Sequence, residues 1–199
     1  MGVALPVSSL DNENTMKLVE KHFNSVTCEN EMKPESILGS GEPGVSTLEE
    51  LESKLNFESA DKVARHFAEY NKNNPSEPIK MRGHVFVWHS QTPNWFFTED
   101  YTDNGALVSR DVMLARMENY IKTVLTYFDE NYPELIYAVD VCNEAFDTGD
   151  GDEDGIRMKK NKWYDTVGAD YYYQAFVFAR KYAPDYMKLF YNDYGCMYK

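Results

Sequence analysis

Residues 135–142 read Leu-Ile-Tyr-Ala-Val-Asp-Val-Cys, a nearly continuous apolar run. Such a run is typical of a strand in a parallel sheet, because helices cover both faces of that kind of sheet. Three shorter β-prone runs occupy residues 25–28, 85–88 and 188–191. Together the four runs predict a buried parallel sheet.

Helical patterns lie between the predicted strands. Residues 59–71 carry apolar side chains at helical spacing, and residues 110–131 form a longer amphipathic stripe. Residues 14–22 and 171–182 also read as helices. This alternation of strands with helices indicates an α/β fold.

Two segments are predicted to be loops. Residues 39–46 are rich in Gly, Ser and Pro, and residues 148–155 read Thr-Gly-Asp-Gly-Asp-Glu-Asp-Gly. The second segment loosely resembles a calcium-binding loop but lacks the closing Glu of the full ligand pattern. We therefore expect a solvated acidic loop and no metal site.

Length and charge narrow the classes of function. The 199 residues are enough for one domain with a sizeable core, and 43% of them are hydrophobic. The formal net charge of -13 argues against nucleic acid as a partner, because phosphates require clustered Lys and Arg, and against anionic membrane surfaces. A neutral polymer such as a polysaccharide suits an acidic protein, although acidity equally serves solubility alone.

The cysteines and the first residues of the sequence are the features that could indicate the cellular compartment of the protein. Cys28, Cys142 and Cys196 are an odd, sparse set and do not suggest a disulfide framework, and no Cys-x-x-Cys pair points to zinc. No basic segment precedes a long apolar one at the start, so no secretory leader is visible. A secreted protein whose leader had been exchanged for a Met would look the same.

Polar side chains gather at or just after each predicted strand. In chain order they are Glu29, Asn30 and Lys33; His84, Trp88, His89, Gln91 and Asn94; Asn143, Glu144 and Asp147; and Asn192 and Asp193. In a parallel α/β barrel the carboxyl ends of the strands open onto one face, where active sites lie. These residue types suit sugars, because amides, carboxylates and ammonium groups bind hydroxyls and Trp stacks on a pyranose. Hydrolysis of a glycosidic bond requires two carboxylates.

Four linked stretches, residues 22–34, 82–95, 140–147 and 189–194, resemble the xylanases of glycoside hydrolase family 10 in order and spacing. The resemblance implies a (β/α)8 TIM barrel, with these stretches on strands two to five and strand one near residues 2–4. Residues 1–199 would then be the N-terminal part of a single catalytic barrel, with roughly its first five β/α units.

The resemblance also implies roles for individual residues. Glu144 is expected to be the general acid/base of a retaining endo-β-1,4-xylanase, and Asn143 to bind the 2-hydroxyl of the sugar being cleaved. The glycone-side sugars are expected to contact Glu29, Asn30, Lys33, His84, Trp88 and Gln91. The expected partners are xylan and xylo-oligosaccharides, with no cofactor and no metal, and the expected location is outside the cell.

The sequence departs from the family pattern at several points. Cys28, Val139 and Cys142 replace residues more usual in the family, and we expect packing changes only. The sequence stops soon after predicted strand five, so the nucleophilic Glu that the family carries on strand seven is expected outside it. Residues 98–101, Thr-Glu-Asp-Tyr, do not match that segment. We expect the isolated chain to be inactive until the missing half is supplied, as a continuing or a separate chain.

Alternatives remain open at this point. A catalytically incompetent fragment or carbohydrate-binding module would retain the sugar contacts without turnover, and another retaining glycosidase such as a cellulase would share the barrel layout. Among single residues, His89 and Trp95 are as well explained by structural roles. Asp147 and Asp193 could serve only to orient their neighbours or cap helices.

Overall fold

The computed structural model describes residues 1–194, and its centre is one parallel sheet. The strands run in chain order across the sheet, and every neighbouring pair is parallel. Their bounds are β1 Gly2–Leu5, β2 Ser25–Cys28, β3 Lys80–Trp88, β4 Ile136–Asn143 and β5 Lys188–Asn192. The predicted α/β fold with a parallel sheet is therefore confirmed. Within residues 1–194, β1 and β5 form the two edges of the sheet.

Helices connect the strands, and the four predicted from periodicity are all present. Their bounds, with three short helices that the sequence analysis did not predict, are α1 Glu13–His22, α2 Pro34–Leu38, α3 Leu48–Glu52, α4 Glu58–Asn73, α5 Arg110–Asn131, α6 Lys162–Val167 and α7 Tyr171–Tyr182. Single 3-10 turns cover Val7–Asp11, Asn94–Phe97 and Glu99–Tyr101. None of these described helices combines the length and the apolar character that crossing a bilayer requires.

Side-chain caps start several helices where the sequence supplies them. The Asn12 side chain accepts a hydrogen bond from the backbone of Thr15 at 3.1 Å at the start of α1. Asn161 caps α6 in the same way through the backbone of Trp163. Each cap satisfies a backbone N–H that has no partner inside the helix, which sets the residue at which the helix begins.

The core lies between the sheet and the helices that cover it. Along α5 the buried side chains include Met113, Met117, Ile121, Val124 and Phe128. Cys28, Val139 and Cys142, the residues unusual for the family, are all at least 98% buried among apolar neighbours, as expected for packing changes. Cys196 lies outside the described residues.

Strand β3 begins five residues before the predicted run. The prediction began at Val85, because Arg82 and His84 interrupt the apolar pattern, but the structure starts the strand at Lys80. Arg82 and His84 alternate with buried Met81 and Gly83, so both polar side chains leave the same face of the strand. That face meets Asp140 of β4, which pairs with both side chains. The peptide bond between His84 and Val85 is cis.

Strand register brings the polar ends of three strands side by side. Trp88 at the end of β3 pairs with Asn143 of β4, and Asn143 pairs in turn with Asn192 of β5. Because the strands are parallel, the residues that follow each of them emerge at the same edge of the sheet. This edge carries the candidate site.

Candidate active site

Glu144 directly follows β4 at the carboxyl edge of the sheet. Its backbone is in the left-handed region, with φ of 54°, and its N–H donates to the carbonyl of Asn192 at 2.9 Å. Its Oε2 accepts a hydrogen bond from Nε1 of Trp88 at 3.0 Å and lies 3.9 Å from Nδ1 of His89. The side chain remains 22% exposed, so a substrate can reach the carboxyl group.

Two neighbouring side chains form hydrogen bonds with the backbone of Trp88. Its carbonyl oxygen accepts a hydrogen bond from Nε1 of Trp163 at 3.0 Å and another from Oγ1 of Thr92 at 2.9 Å. Trp163 is fully buried, so it acts as a rigid support. These contacts fix the backbone from which the Trp88 indole reaches Glu144.

Asn143 lies beside this pair and is almost completely buried. Its amide lies against that of Asn192, with Nδ2 of Asn192 donating to the amide oxygen at 2.6 Å. In the opposite amide orientation the Asn143 oxygen accepts from Nε1 of Trp88 at 3.1 Å, and its Nδ2 faces the Asn192 carbonyl. The first orientation bonds the Asn143 amide to β5 alone, and the second bonds it to both β3 and β5.

Lys33, Asn30 and Gln91 form a second group at the same edge. The Lys33 ammonium donates to Oδ1 of Asn30 and to Oε1 of Gln91, both at 2.9 Å. It also lies 5.2 Å from the centre of a Trp88 ring, which links this group to Glu144 through the indole. Three of the predicted sugar-binding residues are thus joined by hydrogen bonds.

Two carboxylates near Asn30 differ in surroundings. Glu31 is buried and accepts hydrogen bonds from the backbone of Val7 at 2.7 Å and of Asn30 at 3.1 Å, which holds the loop after β2. Glu31 was not among the residues predicted from the sequence to form the site. The predicted ligand Glu29 is exposed, and its backbone N–H donates to Leu5 at the end of β1. Its carboxylate forms no hydrogen bond or ion pair with the other predicted ligands within residues 1–194.

The predicted sugar ligand His84 is fixed by Asp140. Its Nδ1 lies 2.9 Å from Oδ2 of Asp140, while Nε of Arg82 donates to Oδ1 at 3.0 Å. Burial by itself raises the pKa of Asp140, but the hydrogen bonds from His84 and Arg82 outweigh it and hold that pKa below its ordinary value. An ionised Asp140 orients the His84 ring so that its Nε2 is the nitrogen available to other partners. Asp140 was not among the residues predicted from the sequence to form the site.

His89 lies against Glu144 without a hydrogen bond of its own at Nδ1. This buried nitrogen has no partner among the described residues, and Oε2 of Glu144 at 3.9 Å is beyond hydrogen-bond distance. Burial and the nearby Arg157 lower the pKa of His89, so the imidazole is neutral at neutral pH. The structure therefore gives His89 a place beside the candidate acid/base, which the sequence left undecided.

The loop that follows Glu144 is held together by hydrogen bonds to Asp147 and Arg157, which are part of it. Oδ1 of Asp147 accepts from the backbones of Gly149 and Asp150, at 2.7 and 2.8 Å, and Oδ2 accepts from Arg157 at 2.8 Å. Those backbone bonds, led by the one from Asp150, hold the pKa of Asp147 far below its usual range. At Gly151 a Cβ would come within 2.3 Å of the Asp147 carbonyl, so the tight turn requires glycine.

The acidic loop is thus organised by its own hydrogen bonds. Within residues 1–194 no three His, Cys, Asp or Glu side chains are arranged to hold a metal ion. Asp147 orients its neighbours, which is one of the two structural roles, orienting neighbours or capping a helix, that the sequence left open for it. Asp193 accepts from the hydroxyl of Tyr191 and from the backbone of Tyr194.

The remaining candidates form no hydrogen bond with Glu144 among the described residues. Trp95 is fully buried in the core, and Asn94 is exposed at the start of a 3-10 turn. Glu99, in the segment that does not match the family's nucleophile, is also exposed. The described site therefore consists of one accessible carboxyl group with an indole, an imidazole and an amide around it, flanked by an ammonium and two amides that can bind hydroxyl groups.

Comparison with known proteins gives one family. The sequence model described as Glycosyl hydrolase family 10 matches residues 1–199. Endo-1,4-beta-xylanase B of Butyrivibrio fibrisolvens is 43% identical over 196 residues, and endo-1,4-beta-xylanase A of Thermotoga maritima is 44% identical over 195 residues. Each alignment covers 98% of this chain but only 28% and 16% of the respective relative, so the chain spans less than a third of these proteins.

Solved structures agree with the sequence matches. The xylanase 10B modules of Clostridium thermocellum in complex with xylohexaose superpose with a TM-score of 0.80 at 35% identity, covering 96% of this chain and 37% of that one. A mutant of the intracellular xylanase of Thermoanaerobacterium saccharolyticum in complex with xylotriose gives 0.75 at 34% identity, covering 98% and 53%. The fold is accordingly that of a (β/α)8 barrel, to which the described residues contribute five parallel strands.

Proposed function

Because the chain belongs to glycosyl hydrolase family 10, we propose that the protein hydrolyses internal β-1,4-xylosidic bonds of xylan with retention of configuration. The observation that carries the proposal is the position of Glu144, an accessible carboxyl group at the end of a barrel strand, bonded to Trp88 and adjacent to Asn143. Active sites of this fold lie at that edge.

Glu144 is assigned the role of general acid/base. It first donates a proton to the oxygen of the leaving sugar, while a second carboxylate attacks the anomeric carbon and forms a glycosyl-enzyme. It then takes a proton from the water that attacks the same carbon and releases the second carboxylate. The amide of Asn143, anchored against Asn192, suits a hydrogen bond to the 2-hydroxyl of the sugar under attack.

The glycone side of the cleft is assigned to the group around Lys33. The Lys33 ammonium is already hydrogen-bonded to the side chains of Asn30 and Gln91. A sugar hydroxyl can replace one of these two hydrogen bonds while the other stays in place, so no polar group is left unpaired. Trp88 supplies the apolar ring for the sugar face, and His84 an oriented imidazole. Glu29 is assigned to the same side because of its position directly after β2.

We assign the nucleophile to a part of the barrel beyond the described residues, supplied by a continuing or a separate chain. The Glu144 side chain accepts a hydrogen bond from Trp88 and lies beside the imidazole of His89, neither of which can act as the nucleophilic carboxylate. Retention requires a carboxylate about 5–5.5 Å from the acid/base. The 199-residue chain alone should therefore have no xylanase activity, and addition of the rest of the barrel should restore it. Intact mass and a xylan assay on one sample test this assignment, and strong activity of a 23.1 kDa species would contradict it.

The reaction itself is tested on the full-length protein. Proton NMR of xylan digestion should show β-anomeric ends first, with the α-anomer appearing only by mutarotation. Initial release of the α-anomer would exclude the double displacement. Activity on cellulose greater than on xylan would favour another retaining glycosidase, and binding to xylan with no turnover would favour a carbohydrate-binding module.

We also propose that the protein acts outside the cell, because its proposed substrate is a polymer too large to be taken up intact. The structural neighbour from Thermoanaerobacterium saccharolyticum is described as intracellular, so location does not follow from the fold. Xylanase assays of culture supernatant and washed cells, with a cytoplasmic marker enzyme as control, distinguish the two locations.

A further inference from the structure

Arg157 connects the loop after β4 to the backbone of Glu144. Its Nε donates to the carbonyl oxygen of Glu144 at 3.1 Å, and its Nη2 donates to Oδ2 of Asp147 at 2.8 Å. The residue is 93% buried, which is unusual for an arginine unless it is paired and hydrogen-bonded. Its hydrogen bond to Glu144 is to the backbone, so it is not bonded to the carboxyl group that would react.

Both the backbone N–H and the backbone carbonyl of Arg157 are hydrogen-bonded. Its N–H donates to the carbonyl of Ala145 at 2.8 Å, and its carbonyl accepts from Nδ2 of Asn161, also at 2.8 Å. Asn161 is fully buried and caps helix α6. The guanidinium therefore approaches Glu144 from a support that is part of the packed loop.

The two peptide groups of Glu144 are consequently fixed from opposite sides. The N–H before its Cα donates to Asn192 of β5, and the carbonyl after its Cα accepts from Arg157. Peptide groups are planar, so fixing both of them fixes the direction of the Cα–Cβ bond. The left-handed φ of 54° at this position is retained only where neighbouring groups over-determine it.

We propose that Arg157 is a positioning residue that aims the Glu144 carboxyl group at the leaving oxygen by holding the Glu144 carbonyl. The inference rests on the proposed function, since it concerns the proton that Glu144 donates. Asp147 completes the arrangement by fixing the other end of the guanidinium. Lysine in place of Arg157 would keep the charge next to Asp147 but could not bond Asp147 and the Glu144 carbonyl in the same geometry.

The experiment uses the full-length protein and aryl β-xylobiosides whose leaving phenols differ in acidity. For Arg157→Met, kcat/KM on the phenyl glycoside should fall about 10- to 100-fold, because that leaving group needs a well-aimed proton. On the 2,4-dinitrophenyl glycoside, which needs no protonation to leave, kcat/KM should change less than about threefold. Arg157→Lys should show the same selective loss, because it restores charge and not geometry.

Arg180→Met is the matched control. Arg180 also bonds backbone carbonyls, those of Ala183, Pro184 and Met187, but at the end of α7 away from Glu144. Its loss should leave the ratio of the two kcat/KM values as in the wild type. Equal losses on both glycosides in the two Arg157 variants, or full recovery in Arg157→Lys, would overturn the proposal. Absence of hydrolysis by the wild type would instead refute the proposed function.

Discussion

Nε1 of Trp88 donates a hydrogen bond of 3.0 Å to Oε2 of Glu144, across 56 positions of sequence. Indole nitrogen is a donor only, so the oxygen that faces it must be an acceptor. A proton on Glu144 is therefore favoured on Oε1, because Oε2 is the oxygen that accepts from Trp88. The pair thus determines which oxygen of the candidate acid/base delivers the proton.

Trp88→Phe tests this relationship, because it keeps an aromatic ring and removes the donor. A hydrogen bond to a charged group contributes about 1.5–3 kcal/mol, so kcat/KM on xylan should fall on the order of tenfold or more. The control is Trp95→Phe, which removes an indole bond of 3.3 Å to the Gly39 carbonyl in the core. That variant should lower the melting temperature and leave kcat/KM of the folded protein unchanged. Similar kinetics for both variants would count against a special role for Trp88.

Glu144→Gln tests the assignment of the acid/base. The amide keeps the shape of the side chain but cannot donate the acidic proton, so kcat/KM on xylan should fall about 10²–10⁴-fold. Steady-state rates on xylan and on an activated aryl xylobioside provide the measurement, and the loss should be smaller on the aryl substrate. Glu99→Gln, at an exposed position in the loop after β3, is the matched control and should retain wild-type rates. An equal loss on both substrates would argue that Glu144 has a purely structural role.

Lys33→Met tests the glycone side of the cleft. The change keeps the aliphatic stem and removes the ammonium that joins Asn30 to Gln91. Binding of xylotriose should weaken about tenfold, since a charged hydrogen bond is lost, and calorimetric titration measures it. Lys72→Met, on the exposed last turn of α4, should leave the affinity unchanged. Unaltered affinity in Lys33→Met would remove this lysine from the sugar site.

The pair of Asp140 with Arg82 and His84 predicts a dependence of stability on pH. The pKa of Asp140 is lowered in the folded protein, whereas an unfolded aspartate has a pKa of about 3.9. The ionised form therefore adds stability that is present above that pH and is lost as the pH falls through the folded-state pKa. Asp140→Asn should lower the free energy of unfolding by on the order of 2 kcal/mol at pH 6.

The same comparison at a pH below the lowered folded-state pKa of Asp140 should give a smaller difference, because wild-type Asp140 then loses its charge as well. Urea unfolding followed by tryptophan fluorescence at both pH values provides the measurement. Asp129→Asn is a control at a half-buried carboxylate that accepts a hydrogen bond from Tyr186. A difference for Asp140→Asn that stayed constant between the two pH values would contradict the pairing.

Cys28 and Cys142 should be unreactive in the native protein. Burial, with a further contribution from Glu31, raises the pKa of Cys28, and burial raises the pKa of Cys142. Only the thiolate is nucleophilic, so iodoacetamide at pH 8 should label neither residue until a denaturant is added. Peptide mass mapping gives the result for each residue separately. Rapid labelling of either one in the folded protein would mean that the sheet opens locally.

Much of the fold could be predicted because its cues are local. The structure has helices α5 and α7 at the predicted residues, Arg110–Asn131 and Tyr171–Tyr182, and strand β2 at Ser25–Cys28. Apolar spacing along a helix and apolar continuity along a strand are written in neighbouring residues. The first half of β3 was missed for the opposite reason, since Arg82 and His84 are neutralised by Asp140, which lies far away in the sequence.

The candidate site also has one part that could be predicted from the sequence and one part that could not. The sequence, read with the family resemblance, was sufficient to collect Glu144, Asn143, Trp88, Lys33 and Gln91 at the ends of predicted strands, because parallel strands deliver successive residues to one edge. It could not indicate that Arg157 would reach the Glu144 carbonyl from an acidic loop. An arginine among aspartates looks solvated until the loop folds back and buries it.

Residue types and their order along the chain were therefore enough for the main helices and for the strands apart from the first half of β3, and with the family resemblance they nominated Glu144 as the candidate acid/base. The direction in which Glu144 points, the neutral imidazole beside it and the support from Arg157 depended on the packed chain. These properties arise from hydrogen bonds and burial between segments that are distant in sequence. Such contacts have no period and no fixed spacing, so only the folded arrangement specifies them.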